Sequence, residues 1–327
     1  MDPIARFLAS SLTLDPEFGR LRRELFDAPR QWLEVPSQAN AVAWIARRRL
    51  RLRGVGVRSL ESAFGRDNRL WTGANGEIAE VVRAISDLKQ WDMAFIDLLS
   101  PAETAAAVAA ATTAGLGHQV MPNPITALIG IRDHDALLAS RSSATNREQR
   151  RSVRRIAERG LEFRASMGWP HVEQLLDARR LPAHEADDYT RDAEFRRFFR
   201  EYRDAMSAAG RLREVALFDH DRPVAYVSGV WSGRVFHAFQ TAHDPEYRSL
   251  RPGIMVFEKL LEGVLAEECE ILEFMGSGRF YLSEFTRQSL PLQRVVLFSR
   301  TLKARLLGRF FARRARRAAD SEAGPPT

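Results

Sequence analysis

The sequence of 327 residues has one cysteine, Cys269, and three lysines, Lys89, Lys259 and Lys303. A single cysteine excludes an intrachain disulfide and any site built on several thiolates, and it suits a reducing compartment. No stretch approaches the roughly 18 uncharged apolar residues that a spanning helix needs, so no bilayer crossing is expected. The first residues, Met1-Asp2-Pro3-Ile4, bring an acid early and no long apolar region follows, so no secretory signal is expected. His118, His134, His171, His184, His220, His237 and His243 form no close-spaced ligand pattern, so no metal is expected. A G-x-S-x-G nucleophile turn is also missing.

What is present is ordinary for a globular chain: 45% hydrophobic and 28% charged residues. The length fits one large or two fused domains with a sizeable core. The charge is less ordinary, 49 Lys+Arg against 42 Asp+Glu for a net +7, and 46 of those cations are arginine. A GC-rich genome is the simplest source of the arginine preference, but it does not explain where the charge sits. Residues 141–160 carry seven arginines and two glutamates, and residues 301–319 carry six arginines, one lysine and no acid. Those two segments exceed the net charge of the whole chain, so the remainder is net acidic.

Periodicity predicts an α+β chain. A polar helix is expected over 17–33, a half-wet strand over 47–57, loop over 58–76 and a helix over 77–90. Asp92–Leu98 reads as a strand. Ser100-Pro101-Ala102-Glu103 has the form of a capping box with proline at the first helical position, opening an Ala-rich helix that Gly115 should end. Strands near 117–121 and 125–131, a basic helix over 134–160, a strand at 161–166 and helices at 170–180 and 187–209 follow. Arg213–Phe218, Val224–Trp231 and Arg234–Thr241, separated by short turns, predict an antiparallel meander. Phe257, Leu260, Leu261 and Val264 give a helix one apolar face. Strands close the pattern at Glu270–Phe274 and Leu292–Ser299.

The stretch 234–281 carries the chemistry. A strand gives way to a loop, His243–Gly253, and then to a helix from about Ile254. A helix start with arginines and glycine suits an anionic phosphate, through unpaired amides and the positive end of the helix dipole. Arg248, Ser249, Arg251, Gly253 and Ile254 are the candidate binding residues, with the arginines supplying charge-assisted contacts and Gly253 close backbone approach. A plain Pro-Gly turn is the alternative.

The run HDPEYRSLRPGIMVFEKLLEGVLAEECEILEFMGSGRFYLSEF, residues 243–285, resembles the CelD/BcsL-type acetyltransferases, a branch of the GNAT superfamily related to the Fem transferases. Asp244-Pro245, Tyr247-Arg248, Pro252-Gly253, Glu273-Phe274 and Tyr281 carry the likeness. Asn146–Arg159 adds an Arg-rich helix, and Asp221-Arg222-Pro223-Val224-Ala225 a hairpin. The likeness spans about residues 40–300 and is most specific over 211–285. The chain departs from the pattern at His243, Arg251, Glu273 and Leu282.

The resemblance implies two tandem GNAT-like halves of mixed sheets flanked by helices. The expected divisions are an N-terminal half (1–140), a basic helical linker (141–210), a catalytic half (211–300) and a basic amphipathic tail (301–327). It implies acyl-CoA as donor, with pyrophosphate on Arg248–Ile254, pantetheine between strands near 235–241 and 270–275, and direct attack by an amine. Asp244, Glu273 and His237 are candidate bases, and Tyr281 a candidate acid for the thiolate. Their alternatives are a turn cap for Asp244, an ion pair with an arginine for Glu273, and plain packing for His237 and Tyr281. A long-chain sphingoid-type amine or an amino sugar is the expected acceptor.

Residues 301–317 draw as a helix with Leu302, Leu306, Leu307, Phe310 and Phe311 on one side. Such a helix docks on an anionic membrane or packs its stripe on the domain. A cytoplasmic protein, peripheral on the inner face of the cytoplasmic membrane, is therefore expected, and nucleic acid is disfavoured as partner. Two other functions stay open: a Fem-like transferase using aminoacyl-tRNA through the 147–159 helix, and a non-catalytic scaffold, for which Leu282 is the argument.

Overall fold

The computed structural model describes residues 3–9, 17–18, 21, 45–52, 55–62, 78–178, 193–274 and 284–322. Its elements begin with α1 (Pro3–Ala9), β1 (Ile45–Leu52), β2 (Val55–Ser62), α2 (Ile78–Asp87), β3 (Met93–Leu99), α3 (Pro101–Thr113), β4 (Gly117–Pro122) and β5 (Ile125–Ile129). Then come α4 (His134–Ser140), α5 (Ser143–Glu158), β6 (Glu162–Arg164), α6 (Trp169–Ala178), α7 (Ala193–Ala208), β7 (Leu212–Asp219), β8 (Arg222–Ser232) and β9 (Val235–His243). A 3₁₀ turn (Pro245–Leu250), α8 (Pro252–Ala266), β10 (Ile271–Glu273), β11 (Ser289–Leu290), β12 (Gln293–Phe298) and α9 (Leu302–Glu322) complete it.

Two compact units result, each discontinuous in sequence: Met1–Asp27 with Ile125–Leu290, and Ala28–Pro124 with Pro291–Thr327. The first holds a sheet ordered β11-β5-β10-β9-β8-β7-β6, and the second a sheet ordered β1-β2-β3-β12-β4. These packing units cut across the sequence divisions expected at 140 and 300. β5 pairs with β10 in the first unit. β12 inserts between β3 and β4 in the second. Alternation is the reason for that insertion: Val295 and Leu297 enter the core under α2 and α3, while Val296 and Phe298 enter the core under α9.

Several local expectations meet the structure. Ser100 Oγ accepts from Glu103 N at 3.2 Å and Glu103 Oε2 accepts from Ser100 N at 2.8 Å, the reciprocal capping box. Gly115 ends α3 with φ +64°. The meander β7-β8-β9 is antiparallel throughout. Other expectations are corrected. The 47–57 strand divides into the hairpin β1–β2, which takes 58–62 from the expected loop. The 134–160 helix breaks at Arg141, whose extended backbone (ψ 164°) separates α4 from α5, and each half has its own cap, Asp133 and Ser142. Most of the 17–33 helix lies outside the described residues, as does 179–192.

In the first unit both faces of the sheet are covered. Val215, Leu217, Val227, Phe236 and Leu272 pack toward α8. Ala216, Phe218, Tyr226 and Ala242 pack toward α6. That double burial explains the nearly unbroken apolar run of β8. Cys269 is buried here, and burial pushes its thiol up to about 12. We therefore expect no reaction with a water-soluble thiol reagent until the protein is unfolded.

In the second unit Asp92 is buried, 1% exposed. It accepts from Arg58 N at 2.8 Å and from Lys303 Nζ at 2.9 Å, tying α9 to the sheet. Burial alone would raise its carboxyl, but the Arg58 amide and the two cations outweigh that and hold it below the ordinary carboxylate range. A depressed carboxyl stabilises above the unfolded value near 4 and loses its contribution as pH falls through the folded value. Asp92→Asn should therefore cost about 2 kcal/mol at neutral pH. The gap to the parent should shrink in melts run below roughly pH 3.

Candidate active site

β9 and β10 lie parallel and pair through Ile271↔Val235, Leu272↔Phe236 and Glu273↔His237, where the pairing ends. β9 runs on to His243, while Phe274 N turns to donate to Thr126 O on the other side. Among the described residues the parallel pairing thus runs to His237 and Glu273. A β-bulge lies beside this pair: Ser228 faces Gln240 and Gly229 faces Ala238, so Phe239 is the extra residue. Gly229 is required there. A Cβ would lie 2.3 Å from the Phe236 ring and 2.7 Å from the His237 carbonyl.

His237 Nδ1 and Glu273 Oε2 are 2.7 Å apart, with side chains only 2% and 6% exposed. Facing an ionised Glu273, which only accepts, Nδ1 is the donor of this pair. The Phe7 ring lies 6.0 Å from the imidazole at a 46° tilt. Phe236 and Leu272 pack toward α8, so alternation puts His237 and Glu273 on the opposite face of the sheet.

Asp244 is placed elsewhere, seven residues along from His237 and roughly 20 Å away in extended chain. It caps the 3₁₀ turn by accepting from Glu246 N at 2.9 Å, and it accepts from Arg222 Nη2 at 2.6 Å. Arg222 also reaches Glu246 and lies 5.3 Å from the centre of the Tyr247 ring, and Tyr247 donates to Asp219 at 2.7 Å. The Asp219 bond raises the Tyr247 hydroxyl above its ordinary value. Together these residues latch the turn onto the β7–β8 hairpin. Tyr281, like Leu282, lies outside the described residues.

The helix start sits at the open end of β9. Arg251 adopts the left-handed conformation, φ 56° and ψ 44°, and no side chain caps α8. Proline at the first helical position has no N–H, and Ile254 N and Met255 N donate to the Arg251 carbonyl at 3.0 and 3.1 Å, so Gly253 supplies the first amide of α8 at its positive end. The helix starts at Pro252, two residues before the expected Ile254. Arg248 and Ser249 are exposed, and Arg251 pairs with Glu284. From α5, Arg155 Nη1 donates to the Ser249 carbonyl at 3.4 Å. A Cβ on Gly253 would lie 3.3 Å from His243 Nδ1, so glycine lets that imidazole approach the first turn.

The structure thus unites Arg248, Ser249, Arg251, Gly253 and Ile254 at one helix end, and His237 with Glu273 across β9 and β10. Sequence reasoning did not select Arg155, His243 or Gly229 for the site. Arg155 is one of many arginines in its helix, and a bulge glycine carries no local signal.

A mixed sheet flanked by helices, with the parallel pair β9 and β10 beside the start of α8, has the GNAT arrangement. Residues 143–282 match the family model described as the acetyltransferase (GNAT) domain. In backbone the chain resembles the crystal structure of FemX, with TM-score 0.54, 9% identity and coverage of 90% of this chain and 96% of that one. It also resembles a C-terminal domain assigned to a lysylphosphatidylglycerol synthetase of Agrobacterium fabrum, with TM-score 0.51, 11% identity and coverage of 93% and 94%. No curated protein sequence matches. The chain therefore has the GNAT fold, and residues 143–282 are similar in sequence to the GNAT acetyltransferase domain. Among the described residues no group of His, Cys, Asp and Glu is placed to hold a metal, and no helix is long and apolar enough to cross a membrane.

Gly229→Ala should displace Phe236 and with it His237. We expect a loss of roughly 1–3 kcal/mol in stability by thermal melt, from overpacking. Any residual transferase activity should fall more steeply than folding does.

Proposed function

We propose that the protein transfers an acyl group from acyl-CoA to an amine. The observation that carries this reading is the buried His237–Glu273 pair on two parallel strands, one of which leads to an uncapped, arginine-flanked helix start. By resemblance, a pantetheine arm would lie between β9 and the chain that follows β10. Pyrophosphate suits the first turn of α8, with Arg248, Ser249, Arg251, Gly253 and Ile254 around it and Arg155 alongside.

In this reading the donor thioester lies at the His237–Glu273 pair. His237 takes a proton from the acceptor ammonium, with Glu273 bonded at its Nδ1 to set the ring's orientation. The amine then forms a C–N bond to the thioester carbon, the C–S bond breaks, and the nitrogen gives up its remaining excess proton as the thiolate takes one. Tyr281 is the candidate by resemblance for the thiolate's proton. Asp244 acts as the turn cap and ion-pair partner that shapes the phosphate loop. The likeness to CelD/BcsL-type enzymes supports an amino sugar or a long-chain amine as acceptor.

A thermal-shift and calorimetry panel from acetyl- to long-chain acyl-CoA tests the donor. Saturable binding is expected, weakened about tenfold by Arg248→Ala, the loss of one charge-assisted contact. His237→Ala and Glu273→Gln should retain that binding and lose on the order of 10²-fold in turnover. Absence of binding across the whole panel would sink the reading, and salt-sensitive tRNA binding in its place would favour aminoacyl transfer.

A further inference from the structure

α9 shows two different faces. Ala304, Leu307, Gly308 and Phe311 turn toward the second sheet: Ala304 is fully buried, and the Phe298 and Phe311 ring centres are 5.6 Å apart. Lys303 binds Asp92 and the Gly56 carbonyl, so the first turn is fixed in place. The stripe expected from the sequence therefore splits. Leu307 and Phe311 go inward, while Leu302 and Leu306 go outward, 74% and 56% exposed. Among the described residues only Val153 joins them as an exposed large hydrophobic.

On the helical wheel Leu302 and Leu306 fall one turn apart, with Arg305, Arg309 and Arg313 beside them, all exposed. Phe310, half-buried, continues the line at the next turn. No acid occurs between 301 and 319. This combination narrows the occupant. A second copy meeting the same face across a two-fold axis would set arginine against arginine. A nucleic acid would satisfy the arginines and leave the leucines at its backbone without an apolar partner. An anionic lipid surface satisfies both, with headgroup phosphates on the guanidinium groups and the leucines in the acyl boundary.

We propose that the outward face of α9, built on Leu302, Leu306, Arg305, Arg309 and Arg313, docks the protein on anionic lipid. This surface stands independently of the acyl-transfer reading. Removing the tail is a poor test, because α9 also fills the second core through Ala304 and Phe311.

The test uses the full chain and outward-facing substitutions only. It is co-sedimented with phosphatidylcholine vesicles, alone or with about one-third phosphatidylglycerol. The anionic vesicles should retain the protein and the neutral ones should not. Leu302→Gln with Leu306→Gln, and separately Arg305→Glu with Arg309→Glu, should each cut the retained fraction about tenfold or more. Both double variants should keep the parent melting temperature and the parent response to acyl-CoA. Failure to bind anionic vesicles, equal binding to neutral ones, or wild-type binding by the leucine variant would each overturn the proposal. So would a lipid-free dimer dissolved by the leucine substitutions, or duplex DNA competing the protein off the vesicles.

Discussion

The parallel pairing of β9 and β10 is the constraint on which the candidate site depends. Its register sets Glu273 opposite His237, and side chains at paired positions lie on one face of the sheet within reach of each other. His237 and Glu273 are buried by the sheet below and by Phe7 near the ring. The bulge at Phe239 adds a local bend, and Gly229 supplies the clearance that the bend needs.

The other end of the site is held by a different kind of interaction. Arg222 gathers Asp244 and Glu246, and Tyr247 fastens to Asp219. Arg222 and Glu246 are close to solvent, so their bond alone contributes modestly, whereas Asp244 is buried. As a network they fix one geometry for the chain between β9 and α8. Arg251 then enters the helix in a left-handed conformation that glycine would adopt with less strain. The motif residues Asp244, Tyr247 and Arg222 thus act as scaffold for the loop, and the arginines around the helix start supply its charge.

The second unit is built around β12, which arrives from late in the sequence and pairs between β3 and β4. Its alternate residues serve two cores, and α9 closes one of them. The helix then has an outward side left over, and on that side leucine and arginine occur together. The net charge of +7 is therefore a property of particular surfaces, a basic helix beside the phosphate loop and a basic face on the last helix.

Local features were legible in the sequence because their causes are local. The capping box at Ser100, the turn at Gly115 and the β7-β8-β9 meander each rest on residues a few positions apart. The arginine–glycine pattern before α8 was legible for the same reason, and the helix lies within two residues of its expected start. Other features depend on residues far apart. His237 and Glu273 were separate candidates until a parallel pairing across 36 residues put their side chains within hydrogen-bond reach. Asp244, a candidate base with a turn cap as its alternative, caps the 3₁₀ turn and pairs with Arg222, which only the fold sets beside it. The apolar stripe of α9 looked single-sided because a helical wheel does not say which side meets the sheet. Sequence alone determined the elements and the chemistry of each segment, since propensity, capping and period act over one or two turns. The tertiary structure decided the pairing partners, the discontinuous units and the outward leucines, since those follow from which strand closes which sheet.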